Sequence, residues 1–115
     1  MTVSLLPEAR MELSAAALRY ERERKDLGDE FLVAVDEAIR SIAANPLLFG
    51  LYEALPENQR FRRFRMRRFP YVLVYECREE GVVIIAAAHT SRTPGYWVRR
   101  TEDEGGGNRG IIVGQ

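Results

Sequence analysis

The chain has one cysteine (Cys77), one histidine (His89) and one lysine (Lys25), and it lacks any long apolar run. A lone cysteine excludes an intramolecular disulfide, and a metal site would have only His89 and carboxylates to add to it. The expectation is a reduced protein without metal or cofactor. A bilayer-spanning helix needs roughly 20 consecutive apolar residues, and no basic segment followed by an apolar one opens the chain. No membrane contact is expected, and the cytoplasm is the default location. A Gly-rich phosphate loop, a paired-histidine metal motif and a nucleophile elbow are also missing, which removes the commonest catalytic templates.

What the chain has instead is arginine, which supplies all but one of its 17 basic residues. A GC-rich genome would favour arginine codons, but it would not cluster them. From Met1 to Glu57 there are six basic and eleven acidic residues, from Asn58 to Arg100 ten and three, and from Thr101 to Gln115 one and three. The zero net charge therefore hides a cationic body between acidic flanks. Arginine's fixed charge and planar fork suit phosphate and carboxylate contacts.

The densest part is Arg60 to Phe69, with six arginines in ten residues. Buried guanidiniums would each need a partner, so this segment belongs at a surface. A strand would put Arg63, Arg65 and Arg67 on one face between Phe61 and Phe69. Phe64 and Met66 would occupy the other face, flanked by Arg62 and Arg68. A helix would mix the two sets, so period 2 fits better. The candidate contact surface is Arg60, Arg62, Arg63, Arg65, Arg67 and Arg68, joined by Arg99 and Arg100.

At 115 residues the chain suits one core. Thr2 to Leu6 reads as an edge strand. Ala9, Leu13, Ala16, Ala17 and Tyr20 share one helical face after Pro7, and Phe31, Val35, Ala38, Ile39 and Ile42 share another. Asp26 to Asp29 breaks the pattern, with Gly28 or Asp29 as cap of the second helix, and Asn45-Pro46 ends it. The loop from Pro46 to Gln59 is apolar enough to be expected against the core. Tyr71 to Cys77 alternates, Arg78 to Gly81 turns, and Val82 to Ala88 is apolar on both faces, as a central strand is. The fold class is α+β: an N-terminal edge strand, an antiparallel helical hairpin, and a three-stranded antiparallel stretch of the same small sheet. Residues 1–100 form the domain. Residues 101–115, with Gly105-Gly106-Gly107, form a flexible tail, disordered unless Ile111 to Val113 pairs with a sheet edge or with another chain.

Chemistry could gather at the end of the last strand, where Thr90, Ser91, Arg92 and Tyr96 follow His89. Cleavage of RNA by its own 2′-hydroxyl needs a proton acceptor, a proton donor and cations against the developing charge. His89 and Tyr96 with Arg92 could supply these, and Tyr96 or Trp97 could stack on a base. The same residues also fit a structural role, with the aromatics closing the core.

The order of motifs resembles the RelE/ParE toxins of bacterial type II toxin-antitoxin modules. It runs from Pro7-Glu8-Ala9 through Glu12-Leu13 to Tyr20-Glu21, then Leu27-Gly28 with Phe31, and Asn45-Pro46. Arg67-Arg68-Phe69-Pro70-Tyr71 with Tyr75 follows, and then His89 to Trp97 with Arg100. The resemblance spans roughly Val3 to Arg100. It implies a helical hairpin on a small antiparallel sheet, neutralisation by a cognate antitoxin, and one of two activities. RelE-like members cut mRNA in the ribosomal A site, whereas ParE-like members poison DNA gyrase. RelE-like nucleases commonly carry an arginine three residues before the tyrosine that here is Tyr75, and this chain has Val72 there. Tyr96 and Arg92 fall near nuclease positions, while the Phe-Pro-Tyr motif and single histidine lie closer to ParE. The resemblance therefore favours growth inhibition by binding, with a ribonuclease using Tyr96, Arg92 and His89 as the alternative, and a non-toxic binding module as a second.

Overall fold

The computed structural model describes residues 1–51, 60–102 and 111–113. Strand β1 (Val3–Leu5) leads into helix α1 (Pro7–Glu23), and α2 (Leu27–Ala44) returns beside it. Strands β2 (Phe61–Arg65), β3 (Tyr71–Arg78) and β4 (Gly81–His89) form an antiparallel meander. A short α3 (Arg99–Glu102) and β5 (Ile111–Val113) follow. Among the described residues the sheet order is β2-β3-β4-β1-β5. This is the expected α+β arrangement, with two additions. β1 joins β4 in parallel, and β5 pairs antiparallel on its outer side, Val3 opposite Val113 and Leu5 opposite Ile111. The pairing of Ile111–Val113 was the less favoured expectation for the tail. The glycine run lies outside the described residues.

The helical hairpin buries both predicted stripes. Ala9, Leu13 and Ala16 of α1 and Phe31, Val35, Ala38, Ile39 and Ile42 of α2 pack on the sheet face formed by Val3, Leu5, Tyr71, Leu73, Tyr75, Val82 and Ile84. The opposite face carries a smaller cluster, Phe61, Val74, Val83, Ile85 and Ala86, covered by Trp97. Trp97 is only 1% exposed, so the segment after β4 closes a second core layer.

The start of α2 differs from expectation. It begins at Leu27, and Asp26 precedes it in the left-handed region at φ 69° without capping through its side chain. The cap comes from α1: Glu21 Oε2 accepts from the Asp26 amide at 3.0 Å, and Oε1 accepts from the Gly28 amide at 3.0 Å. A carboxylate at the positive end of a helix is favourable, and two amides that would lack partners are satisfied. A Cβ on Gly28 would sit 2.6 Å from the Ala17 carbonyl oxygen, so glycine sets the hairpin spacing.

The arginine segment is a strand only as far as Arg65. Met66 then donates to the Tyr71 carbonyl at 2.9 Å, and the chain bends through Arg67 to Pro70. The bend sends Phe69 to the helix side, while Phe61 lies in the cluster on the other face. A continuous face from Phe61 to Phe69 is thereby corrected, because burying Met66 and Phe69 in the same core outweighs continuing the alternation. The apolar loop is also only partly against the core. Phe49 packs edge-on against Phe64 at 4.7 Å, whereas Leu47 and Leu48 are 69% and 70% exposed. Residues 52–59 of that loop lie outside the described residues.

Candidate functional site

A polar cluster in which Glu12 accepts four hydrogen bonds arises where β1 ends and β4 continues. β1 pairs with β4 only as far as Leu5 opposite Ile84, with one further bond from the Leu6 amide to the Ile84 carbonyl. A bulge at this point sets Val74 opposite Ala86 and Tyr75 opposite Ile84, leaving Ile85 without a partner on β3. Backbone groups beyond it need other partners. Glu12 of α1 supplies one: its Oε1 accepts from the Ala87 amide at 3.0 Å. Arg100 supplies another by donating to the Ile85 carbonyl at 3.1 Å.

The two side chains also meet each other. Arg100 donates to Glu12 Oε1 and Oε2 at 2.8 and 2.9 Å, and the Tyr96 hydroxyl donates to Oε2 at 2.6 Å. Their side chains are only 17% and 19% exposed. Burial alone would raise the Glu12 carboxyl, but the bonds from Arg100, Tyr96 and the Ala87 amide outweigh it and hold its pKa below the usual value. Tyr96 moves the other way: burial, then its bond to the Glu12 carboxylate, pushes the phenol well above its ordinary value. The Arg92 guanidinium lies over the Tyr96 ring at 3.9 Å.

His89 belongs to a different set of contacts. Its Nδ1 accepts from the Ser91 amide at 3.1 Å and lies 2.8 Å from Ser91 Oγ. Its ring packs edge-on against Tyr71 at 5.3 Å, and Tyr71 in turn accepts from Arg19. The structure thus joins Tyr96, Arg92 and Arg100 around Glu12 and places His89 with Ser91 and Tyr71. Glu12 was missed as a site residue. Its signal was an acid three residues after Ala9 and four before Ala16, on the edge of the buried stripe.

The arginines differ in their contacts and in their exposure. Arg62 donates to the Phe49 carbonyl at 2.7 Å and the Leu47 carbonyl at 3.3 Å, tying the loop to β2. Arg60 pairs with the buried Glu76, which Arg78 also reaches at 2.6 Å. Arg68 pairs with Glu30 of α2 and lies over the Phe69 ring. Arg63, Arg65, Arg67 and Arg99 are exposed. Arg63 and Arg65 stand on the sheet face of Phe61, and Arg67 stands at the hairpin tip. The Thr90 amide donates to the Pro70 carbonyl at 2.9 Å, so that tip adjoins the end of β4.

Among the described residues no group of three or more histidines, cysteines and carboxylates could hold a metal, and no helix is long and apolar enough to cross a membrane. Tyr75 donates to the Pro46 carbonyl at 2.5 Å, and burial, then the neighbouring Cys77, pushes its phenol up to about 12. Cys77 shares that carbonyl as a distant partner at 4.0 Å, a structural setting for the thiol.

Comparison with curated proteins returns no match. A family model does match, over residues 3–94, from the first residue of β1 to the turn that precedes Tyr96. Glu12 lies within the matched span and its partners Tyr96 and Arg100 lie beyond it. On that match the chain belongs to the family described as the ParE toxin of the type II toxin-antitoxin system, parDE.

Proposed function

We propose that this toxin arrests growth in the cytoplasm by binding and poisoning DNA gyrase, and that it does not cut RNA. Its cognate antitoxin follows from the family; the target is the new step. The observation that carries the reading is the role of Tyr96. Its hydroxyl is committed to Glu12, and its phenol is pushed away from the range in which an anion could take a proton at neutral pH. His89, the other proton carrier, is held in a separate set of contacts. The exposed arginines Arg63 and Arg65, with Arg99, are suited to a protein or nucleic-acid surface instead.

Induced expression tests the choice. Intact mRNA by primer extension, together with altered plasmid supercoiling, is the expected result. Codon-phased cuts in mRNA would establish the ribonuclease, for which the stacking of Arg92 on Tyr96 is the supporting geometry. Tyr96→Phe sharpens the contrast, because a gyrase poison keeps its toxicity while a nuclease using the phenol loses it. Absence of any growth effect would leave the non-toxic binding module.

A further inference from the structure

The sheet face opposite the helices presents arginine to solvent and keeps its carboxylate inside. The register sets Phe61, Arg63 and Arg65 of β2 on this face, beside Glu76, Val74 and Val72 of β3. In β2, β3 and β4 the one carboxylate is Glu76. It is 5% exposed and is paired with both Arg60 and Arg78. Glu79 and Glu80 sit in the turn beyond Arg78, at the end of the sheet away from Arg65. Helix α3 lies on the same side, where the Thr101 hydroxyl accepts from Arg60 at 3.3 Å, and it adds the exposed Arg99. The apolar residues of this face lie under Trp97. Among the described residues the exposed large apolar side chains are elsewhere: on α1 and α2, in the 47–51 segment and at Met1.

We propose that this face binds the phosphate backbone of duplex DNA, irrespective of sequence. On the gyrase reading above, which this inference deepens and on which it rests, the DNA is the segment that the enzyme holds, and Arg63 and Arg65 reach gyrase through it. A tight protein contact buries an aromatic or apolar anchor at its centre, and the exposed part of this face offers none. Phosphate binding needs only cations, which release the condensed counterions of the duplex. The planar guanidinium bonds two phosphate oxygens at once. Arg63 and Arg65 are two residues apart on one strand, about 7 Å, and each DNA strand carries a phosphate every ~3.4 Å of axis. Both arginines can therefore meet one strand without a change of fold. Phosphate contacts carry no sequence information, hence the indifference to sequence.

The test is fluorescence anisotropy of a short labelled DNA duplex titrated with purified toxin across a salt series, with variants checked for folding by circular dichroism. With one phosphate neutralised by each of Arg63, Arg65 and Arg99, log affinity falls against log salt with a slope of about −2.7, a loss of about 40-fold between roughly 50 and 200 mM. Arg63→Gln with Arg65→Gln should leave a slope of about −0.9 and a loss of only about 3- to 4-fold. Arg99→Gln alone should give about −1.8, which keeps the test decisive if the double variant fails to fold. Arg22→Gln with Arg40→Gln removes the same charge from exposed positions on the helices and should keep the wild-type slope. Undetectable affinity at the lowest salt overturns the proposal, as does a slope lowered equally by the helix pair and the β2 pair. Competition by poly-glutamate that matches unlabelled duplex per charge also overturns it, assigning the face to an acidic protein, and so does tighter binding of an RNA duplex. The titration contains no gyrase. DNA affinity beside uninhibited gyrase overturns the gyrase reading alone, and inhibited gyrase without DNA affinity overturns this inference alone.

Discussion

Replacing Glu12 by alanine should cost the fold about 3 kcal/mol. Breaking one partner out of a buried ion pair typically costs about 3 to 5 kcal/mol, because the other charge is left uncompensated. Here Arg100 would lose two bonds, Tyr96 one, and the Ala87 amide its acceptor. The lower end applies because both charged side chains keep nearly a fifth of their exposure, so water can reach the guanidinium. Glu12→Gln keeps the volume and one acceptor oxygen, and about 2 kcal/mol is expected. In a domain of this size 3 kcal/mol lowers Tm by roughly 10 to 15 °C. Urea unfolding at pH 7 followed by circular dichroism measures the loss directly. The pH dependence carries a sign. Because the carboxyl is held below its ordinary value of 4.5, its contribution is fully present above that value and lost as pH falls through the lower folded value. The gap between wild type and Glu12→Gln should stay level from neutral pH down to about pH 5 and shrink below pH 4.5. A Glu12→Ala protein within about 0.5 kcal/mol of wild type, with the same urea dependence, would refute the brace.

Other consequences can be checked with the same tools. Gly28→Ala drives a Cβ against the Ala17 carbonyl oxygen and should cost about 2 kcal/mol by forcing the hairpin apart, measured by urea unfolding. Trp97→Ala empties the centre of the second core layer and should cost about 3 to 5 kcal/mol, with loss of the single tryptophan signal requiring circular dichroism as the probe. Removing residues 111–115 uncovers the outer side of β1. Light scattering after size exclusion should show concentration-dependent self-association, and a strictly monomeric truncation would show that β5 does not protect that edge.

The helical hairpin was legible because its information is local: apolar residues three, four and seven apart mark a buried face within a few turns. The strands β3 and β4 were legible for the same reason, with alternation in one and a continuous apolar run in the other. Glu12 was not, because its meaning depends on Arg100, 88 residues away, and on β1 stopping short of Ala87. The arginine segment shows how local pattern can mislead. Its alternation is real from Phe61 to Arg65, but the return of the chain at Tyr71 decides that Phe69 packs with the helices. Arg62 and Arg100 looked like members of one displayed surface, and both are pinned by contacts the one-dimensional pattern does not contain. Leu47 and Leu48 were expected inside and lie exposed, so composition alone did not place that loop.

Under the proposed function, gyrase is bound through the exposed Arg63 and Arg65. The most direct measurement of this is a supercoiling assay with purified gyrase, the toxin, and a folded Arg63→Glu, Arg65→Glu double variant. Inhibition by the wild type that is relieved by added antitoxin and lost in the double variant is the expected result. Full gyrase activity at saturating wild-type toxin, with toxicity in cells intact, would contradict the claim.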